Sequence, residues 1–528
     1  MAKTESYYQM HKYWGKKPAE NLYELLDKYT SKGDIVLDPF SGYGVFTSEA
    51  YLNGRNAIGN DLNPASVFIQ KQLLNMDVDI SIFSLEIEGI IEGYKELFGH
   101  LYSDKCPKCN SKAMVIATLR SKHDEPLMNR IKCSCSNTMI EYELSDESAL
   151  AILDMEKEIV LIPHPVGSLI KNGRISVKEG MTTDDLFTRR SLQCHSYLYS
   201  SINAIKNSDI RDLAKFVFTS NLANCSKLVP PIKSRGPMNP GAWMTGFYIG
   251  ETYIENNVFH YFNNRLLKTI KGKKAIIDRF SNNIGKKGKG RINEFSNFDS
   301  QSTAYLITNE DSKKLSLPSN SIDYVFTDPP YGDSVPYFEQ SSIWNIWLEF
   351  CVDFENELVI SDSKQRKKNL ERFSDELAVC ISEVYRVLKV DSYFSITFHS
   401  LSGGEWYAMT RACIECGFVF EDYKWLTQKT FTPRQLNRKS TVKGDVLITF
   451  KKIAIKPNLN KFTQKDIKEL ILVEAEKLIV ISPRNTNDLY IAILRVVFER
   501  NIIFEEVNFI KILNERFTID VEGQWSLA

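Results

Sequence analysis

The chain has 528 residues, enough for two to four domains of about 150 residues each. Lysine plus arginine equal aspartate plus glutamate at 66 each, so the whole molecule is not a polycation and any nucleic-acid surface must be local. The first residues lack the apolar core of a signal peptide, and no apolar run reaches the ~20 residues that cross a bilayer. We therefore expect a cytoplasmic protein without a membrane partner, whose ten cysteines bind metal or are buried rather than form disulfides.

The first 75 residues carry a strand–helix–strand pattern. A short apolar strand is predicted over 34–38, a helix over 45–53 and a second strand over 56–61. Residues 76–300 are mixed in character and contain a cysteine cluster, a helical stretch and a basic run.

Strand–helix alternation resumes over residues 301–453. The predicted strands are 304–308, 322–327, 392–398, 417–423 and 445–451, and the predicted helices are 338–352 and 373–388. This pattern predicts an α/β fold: a doubly wound, Rossmann-like sheet formed by 1–75 and 301–453 and interrupted by the insertion 76–300. After a linker at 455–461, residues 463–528 are predicted to form a helical C-terminal domain.

The segment after the first predicted strand is Asp38-Pro39-Phe40-Ser41-Gly42-Tyr43-Gly44. Glycine lets the backbone turn tightly and approach a ligand, and a doubly wound sheet binds its cofactor at this end of its strands. Asp61 ends the second strand, where a carboxylate can accept hydrogen bonds from two ribose hydroxyls. The pattern favours a nucleoside-bearing cofactor. A plain turn with glycines for helix packing is the alternative, and the third glycine of dinucleotide sites is absent.

A second motif, Asp328-Pro329-Pro330-Tyr331, follows the apolar strand at 322–327. The amino group of a nucleic-acid base is a poor nucleophile because its lone pair is delocalised into the ring. Asp328 can accept one N–H and the Pro329 carbonyl the other, which favours a pyramidal nitrogen with an available lone pair. The prolines stiffen the loop, and Tyr331 can stack on a base swung out of its helix. An ordinary proline-rich turn is the alternative, but two such motifs at strand ends favour methyl transfer to a base.

In these two motifs the sequence resembles the DNA amino-methyltransferases. Segment 11–18, His-Lys-Tyr-Trp-Gly-Lys-Lys-Pro, is similar to their upstream segment, which caps the methionine end of the cofactor, and Asp311 is similar to their acidic position near its adenine. Residues 331–347 resemble a subgroup of adenine-specific methylases that contain a zinc ribbon. The resemblance implies S-adenosylmethionine as cofactor, and as substrate double-stranded DNA with a flipped adenine that is methylated at N6.

The predicted site residues follow from the motifs and the resemblance together. The predicted catalytic residues are Asp328, Pro329, Pro330 and Tyr331. The predicted cofactor-binding residues are Trp14, Lys17, Pro18, Asp38, Pro39, Phe40, Gly42, Gly44, Asp61 and Asp311.

Four cysteines fall in two closely spaced pairs, Cys106 with Cys109 and Cys133 with Cys135. Paired thiolates suit tetrahedral Zn²⁺, so we predict a structural zinc ribbon over about residues 104–137. His123 lies between the pairs and can replace one thiolate, and burial in a core is the alternative. No Pro-Cys dipeptide, which typically carries the nucleophile of C5-cytosine methylation, occurs in the chain.

Residues 265–291 hold ten lysines and arginines against one acid, Asp278. Neutralisation of DNA phosphates is the functional interpretation, and a solvated charged loop is the alternative. The predicted DNA-binding residues are Lys271, Lys273, Lys274, Lys286, Lys287, Lys289 and Arg291. We assign target recognition to the insertion because the catalytic sheet alone offers little surface for reading bases.

Three other functions remain open from the sequence. They are methylation of the N4 amino group of cytosine, methylation of an RNA base, and DNA binding by a zinc-ribbon protein with a degenerate methylase fold. No nuclease signature occurs, so a restriction endonuclease or defence-system partner would be a separate chain.

Overall fold

The computed structural model describes residues 5–285, 288–299, 301–332, 335–364, 366–398, 404–426, 445–504 and 507–527. The strands are β1 (Ile35–Asp38), β2 (Asn56–Asn60), β3 (Ser103–Lys105), β4 (Lys112–Ser121), β5 (Pro126–Lys132), β6 (Ile140–Glu143), β7 (Thr252–Asn256), β8 (Gly288–Arg291), β9 (Thr303–Thr308), β10 (Ile322–Thr327), β11 (Leu388–Phe398), β12 (Phe418–Leu426), β13 (Asp445–Lys452), β14 (Asn460–Phe462), β15 (Arg484–Asn485), β16 (Ile502–Phe504), β17 (Phe517–Ile519) and β18 (Gln524–Leu527). The helices are α1 (Ala19–Tyr29), α2 (Val45–Leu52), α3 (Pro64–Leu74), α4 (Ile80–Phe98), α5 (Asp146–Lys157), α6 (Arg189–Asn203), α7 (Ser208–Leu222), α8 (Val258–Asn283), α9 (Tyr337–Trp347), α10 (Leu370–Val387), α11 (Gly404–Cys416), α12 (Gln464–Ile479), α13 (Thr486–Glu499) and α14 (Phe509–Leu513).

An eight-stranded sheet in the order β12-β13-β11-β10-β1-β2-β9-β8 forms the centre of the chain. Neighbouring strands are parallel except where β13 pairs antiparallel with β11 and β12. Successive residues of a strand point to opposite faces, so Val36 and Leu37 of β1 enter two different apolar clusters. Both faces are therefore covered, as in a doubly wound sheet, and the predicted α/β Rossmann-like fold is confirmed.

Strand β1 lies at the point where the chain order of the sheet reverses. Leu37 pairs with Ile58 of β2 on one side and with Val325 of β10 on the other. Ligands of doubly wound sheets bind beyond the carboxyl ends of the strands at this point. One boundary differs from the sequence prediction, because β8 belongs to this sheet rather than to the insertion. Its four residues include two glycines and lack an alternating pattern that would mark a strand.

The insertion forms a second, antiparallel sheet in which β4 pairs with β5 on one side and with β3 and β7 on the other. A buried ion cluster joins this sheet to α6: Glu255 contacts the guanidinium groups of Arg120 and Arg190. Although burial opposes ionisation, the two arginines hold the pKa of Glu255 below its usual range. The carboxylate therefore stays charged and ties the two elements together.

The C-terminal part packs on the central domain through aromatic contacts, with ring centroids 4.9 Å apart for Trp406 and Tyr490 and 5.1 Å apart for Phe450 and Phe498. It is less purely helical than the sequence predicts, because helices α12 to α14 alternate with the short strands β14 to β18. Strands of two to four residues are too short to give a period-2 pattern. Among the helices of the described ranges, none is long and apolar enough to cross a membrane.

Candidate active site

A cavity of about 980 Å³ opens at the carboxyl ends of β1 and β10. Its lining includes Asp38, Phe40 and Gly42 from the first motif and Asp328 and Pro330 from the second. The two loops are also joined directly, because the Thr327 hydroxyl donates to Asp38 Oδ1 over 3.2 Å. The structure thus brings together, at one cavity, two segments that lie 290 residues apart in sequence.

The loop after β1 needs its two glycines. Gly42 and Gly44 adopt φ values of +50° and +82°, a left-handed conformation that other residues rarely adopt. The Gly42 amide donates to Asp61 Oδ2 and the Asn63 amide to Asp61 Oδ1, each over 2.8 Å. Burial raises the pKa of Asp61 to about 6, although these two bonds favour the charged form. Asp61 therefore joins the ends of β1 and β2 beside the cavity.

Gln70 of α3 is hydrogen-bonded to the same loop, and sequence analysis missed this residue. Its Nε2 donates to the Gly42 carbonyl over 3.1 Å, and its Oε1 accepts from the Ser41 hydroxyl over 3.0 Å. The side chain is fully buried. A glutamine inside a helix carries no distinctive sequence signal, so only the packing of α3 against the loop identifies it.

Residues that follow β9 in the chain form another part of the cavity lining. Asp311 and Ser312 line the wall, and the Ser312 hydroxyl donates to the Pro39 carbonyl over 2.6 Å. Lys313 also lines the cavity and contacts both Asp311, at 3.4 Å, and the Asn356 side chain, at 3.1 Å. Asp311 thus lines the same cavity as Asp61, and its place near the adenine of the cofactor stays a prediction.

The N-terminal segment supplies a further wall. Trp14 lines the cavity and packs against Trp344 and Trp243, with ring centroids 5.0 and 6.1 Å away. Lys16 lies against the ring of Tyr43 at 3.5 Å, and burial lowers the pKa of its ammonium to about 7. This segment therefore connects the cavity to the insertion, which contributes Trp243.

The carboxylate of Asp328 is surrounded by donors. Its Oδ1 accepts hydrogen bonds from the hydroxyls of Tyr331 and Thr397, the latter over 2.6 Å, and its Oδ2 lies 3.1 Å from Lys17 Nζ. Burial raises the pKa of Asp328, whereas Lys17 and Thr397 oppose the shift. Thr397 comes from β11 and was not identified from the sequence.

Lys17 therefore contacts the second motif. In addition to Asp328, its ammonium contacts Asp445 Oδ2 at 2.6 Å and the Tyr331 hydroxyl at 3.3 Å. Burial alone would lower the pKa of Lys17, yet the two carboxylates raise it above the usual value. Asp445, the first residue of β13, also escaped sequence analysis because it follows no recognisable motif.

The structure divides the predicted cofactor and catalytic residues into two groups. Those that line the cavity are Trp14, Lys17, Asp38, Phe40, Gly42, Asp61, Asp311, Asp328 and Pro330, and those that do not are Pro18, Pro39, Gly44, Pro329 and Tyr331. The ring of Tyr331 instead lies edge-on to Phe398, at 5.3 Å. Its stacking on a base stays a prediction.

The four cysteines of the two predicted pairs lie together. Their sulfur atoms are all within 4.8 Å of one another, with Cys106 3.6 Å from Cys135 and Cys109 3.5 Å from Cys133. Tetrahedral Zn²⁺ with Zn–S bonds of about 2.3 Å would separate its sulfurs by about 3.8 Å, so the cluster could hold such an ion.

The basic run is mostly helix α8, and one predicted DNA contact in it is wrong. Lys273 is fully buried, and its ammonium donates to the carbonyls of Gln72 and Asn75 at the end of α3, so it cannot reach a phosphate. Lys271 and Lys274 are exposed on the same helix, and Lys289 and Arg291 are exposed on β8. These five residues do not line the cavity. Lys286 and Lys287 lie outside the described residues.

Residues 2–72 match the N6_N4_Mtase family model, described as DNA methylase. The chain is 35% identical over 89 residues to the type II methyltransferase M.MthZI of Methanothermobacter thermautotrophicus. This match covers 16% of this chain and 25% of that protein. It is 21% identical over 398 residues to M.MjaII of Methanocaldococcus jannaschii, covering 71% of this chain and 69% of that protein.

Among solved structures, a Thermus thermophilus protein assigned as a DNA modification methylase matches 30% of this chain and 56% of its own, with 18% identity and a TM-score of 0.18. Likeness at this level does not bear on function. The sequence matches confirm the resemblance predicted from the motifs, whereas the zinc-ribbon subgroup stays a prediction. The chain is thus similar in sequence to the DNA amino-methylases of the N6/N4 class.

Proposed function

We propose that this protein is an S-adenosylmethionine-dependent DNA methyltransferase that modifies the N6 amino group of adenine. The observation that carries the proposal is the shared cavity of the two motifs, which is lined both by Asp328 and by the loop that Asp61 and Gln70 hold. The similarity of residues 2–72 to DNA methylases of the N6/N4 class supports methylation of DNA.

The residues around the cavity suit the proposed cofactor. Asp61 can accept hydrogen bonds from ribose hydroxyls while it keeps both backbone amides, because each carboxylate oxygen has two lone pairs. Asp311 offers a further acceptor in the lining, and Trp14 offers an aromatic surface there. When bound, S-adenosylmethionine supplies an electrophilic methyl group on a sulfonium.

The residues of the second motif suit an amine as the acceptor. An ionised Asp328 accepts one N–H of the target in the proposed reaction. The other N–H is assigned to the carbonyl of Pro329, which lies in sequence between the lining residues Asp328 and Pro330 but does not itself line the cavity in this structure. Transfer leaves an extra proton on the nitrogen, and Asp328 is placed to take it. Positioning and electrostatics supply the acceleration, with no covalent intermediate on the enzyme.

Adenine is our choice of base because the motif begins with Asp328 and residues 331–347 resemble adenine-specific methylases. The cysteine cluster would hold zinc in a structural role, since methyl transfer to an amine needs no metal. For DNA we propose contacts from the exposed Lys271, Lys274, Lys289 and Arg291 and from the insertion. A restriction partner, if the protein has one, would be a separate chain.

Transfer of tritiated methyl groups to duplex DNA tests the proposal, with nucleoside analysis of the product. We expect N6-methyladenine from the wild type and none from Asp328→Ala. Asp375→Asn, which alters an exposed carboxylate on α10, is the matched control and should keep full activity. N4-methylcytosine in the product would assign the other base, and label in RNA but not in DNA would refute the proposal.

A further inference from the structure

Lys17, which lines the cavity and contacts Asp328, also contacts a second carboxylate, Asp445, which is not among the lining residues. Lys17 Nζ lies 3.1 Å from Asp328 and 2.6 Å from Asp445. The side chains of Asp328, Lys17 and Asp445 are 22%, 12% and 10% exposed, so water screens their interactions only partly. The three groups together carry a net charge of −1 when all are ionised.

This arrangement raises a difficulty for the proposed reaction. The target amine must donate an N–H to Asp328, but Lys17 already contacts Oδ2, and Thr397 and Tyr331 donate to Oδ1. An ammonium drawn fully onto Asp328 would occupy the position that the amine needs and weaken the carboxylate as an acceptor. The shorter contact of Lys17 to Asp445 shows where the ammonium can stay instead.

We propose that Asp445 is a positioning residue for methyl transfer, which holds the Lys17 ammonium to one side so that Asp328 keeps an oxygen for the target amine. The inference rests on the proposed function. Asp445 acts through Lys17 and need not touch the substrate. Lys17 in turn balances part of the charge of two partly buried carboxylates that would otherwise lie close together.

The ionisation of Asp328 gives this role a distinct signature. Among the described residues, the titratable groups that act on Asp328 or are acted on by it include Lys17, Asp445, Tyr331, Tyr337 and Asp38, and the hydroxyl of Thr397 also donates to it. Next to burial, Lys17 is the main influence and lowers the pKa of Asp328, whereas Asp445 raises it. Removing Asp445 should therefore make Asp328 more acidic, and removing Lys17 should make it less acidic.

The experiment compares Asp445→Asn, Lys17→Met and the double variant with the wild type, measuring kcat for methyl transfer between about pH 5 and 9. For Asp445→Asn we expect kcat to fall about ten-fold or more, because an ammonium drawn onto Asp328 competes with the target amine for its position. The acidic limb of its profile should move to lower pH. For Lys17→Met that limb should move to higher pH, by about one unit, as expected for loss of a neighbouring opposite charge.

The double variant separates the proposed role from general damage. If the freed ammonium is what blocks Asp328, removing Lys17 as well should make the double variant more active than Asp445→Asn alone. Asp445→Glu, which keeps the carboxylate, should recover part of kcat. Lys28→Met with Asp422→Asn removes a similar pair, at 2.8 Å, that joins α1 to β12 outside the cavity, and should leave both kcat and the profile unchanged.

Two outcomes would overturn the inference: an Asp445→Asn variant with the wild-type kcat and acidic limb, or a double variant no more active than Asp445→Asn. If Asp445→Asn does not fold, Lys17→Met provides the test: an acidic limb of its kcat profile at the wild-type pH would also overturn the inference. A wild type that methylates no DNA would instead remove the proposed function, so the two failures are distinguishable.

Discussion

Replacing Gln70 by leucine tests how the cofactor loop is held. Leucine is close in size to glutamine but can neither donate to the Gly42 carbonyl, now 3.1 Å from Nε2, nor accept from the Ser41 hydroxyl, now 3.0 Å from Oε1. The Ser41 hydroxyl keeps a second partner, the Asn60 carbonyl at 2.8 Å. The Gly42 carbonyl loses the donor that α3 provides.

The magnitude follows from these bonds. A carbonyl left without a donor in a mostly buried position costs about 1–3 kcal/mol, and the weakened Ser41 contact adds less, so we take about 2 kcal/mol in total. If all of it falls on the bound conformation of the loop, the Kd for S-adenosylmethionine rises about 30-fold. Any part of this free energy that lowers global stability instead does not affect the Kd. We therefore expect the Kd to rise by about 5- to 30-fold, at about 1.4 kcal/mol per factor of ten.

Titration calorimetry with S-adenosylmethionine and thermal unfolding would measure the two parts. Gln72→Leu is the matched control, because Gln72 lies two positions further along the same helix, is buried, and has a side-chain oxygen without a hydrogen-bond partner among the described residues. It should leave the Kd unchanged. Equal Kd values for wild type and Gln70→Leu would refute the idea that α3 holds the loop.

Four further predictions concern other residues of the chain. The affinity for S-adenosylmethionine should fall as the pH drops through about 6, because the pKa of Asp61 is raised to about 6 and protonation removes an acceptor; calorimetry from about pH 5 to 8 checks this, and a flat profile contradicts it. Lys273→Met should lower the melting temperature, at a cost of about 1–3 kcal/mol for the carbonyls it leaves unpaired, without changing DNA affinity. Lys271→Ala should weaken DNA binding and leave the melting temperature unchanged, reducing the slope of the salt dependence by about one unit. Gel-shift titrations and melting curves measure both variants, and a loss of DNA affinity in Lys273→Met or of stability in Lys271→Ala would contradict the assignment. Finally, we expect metal analysis to find one zinc per chain, absent from Cys109→Ser, which should melt earlier yet still bind the cofactor; zinc in both proteins would contradict the site.

Much of the central sheet could be predicted because its signals are local. The predicted strand at 322–327 coincides with β10, and the helix at 373–388 lies almost wholly within α10, since apolar runs and helical periodicity are properties of short segments. The two motifs were recognisable for the same reason: each is a run of adjacent residues at a strand end. The cysteine pairs were also local, and the fold brought them into one cluster.

The positions that sequence analysis missed are those whose partners are far away in the chain. Thr397 contacts a carboxylate 69 residues earlier, and Asp445 contacts Lys17 across 428 residues. A run of basic residues likewise cannot show which side chains face outward. Lys271 and Lys273 are two positions apart on α8, and one is exposed while the other is buried, because the outcome for each depends on which face of the helix packs against the rest of the protein.

The sequence by itself determined the α/β architecture, the two chemical motifs and the resemblance to DNA amino-methylases. These features could be recognised because hydrophobic periodicity and strand-end loops are properties of short, continuous segments. The tertiary structure alone decided that Gln70 holds the cofactor loop, that Lys17 lies between two carboxylates and that Lys273 is part of the core. The physical reason is that hydrogen bonds and ion pairs depend on distances of about 3 Å, and only the packing of distant elements brings such groups within reach.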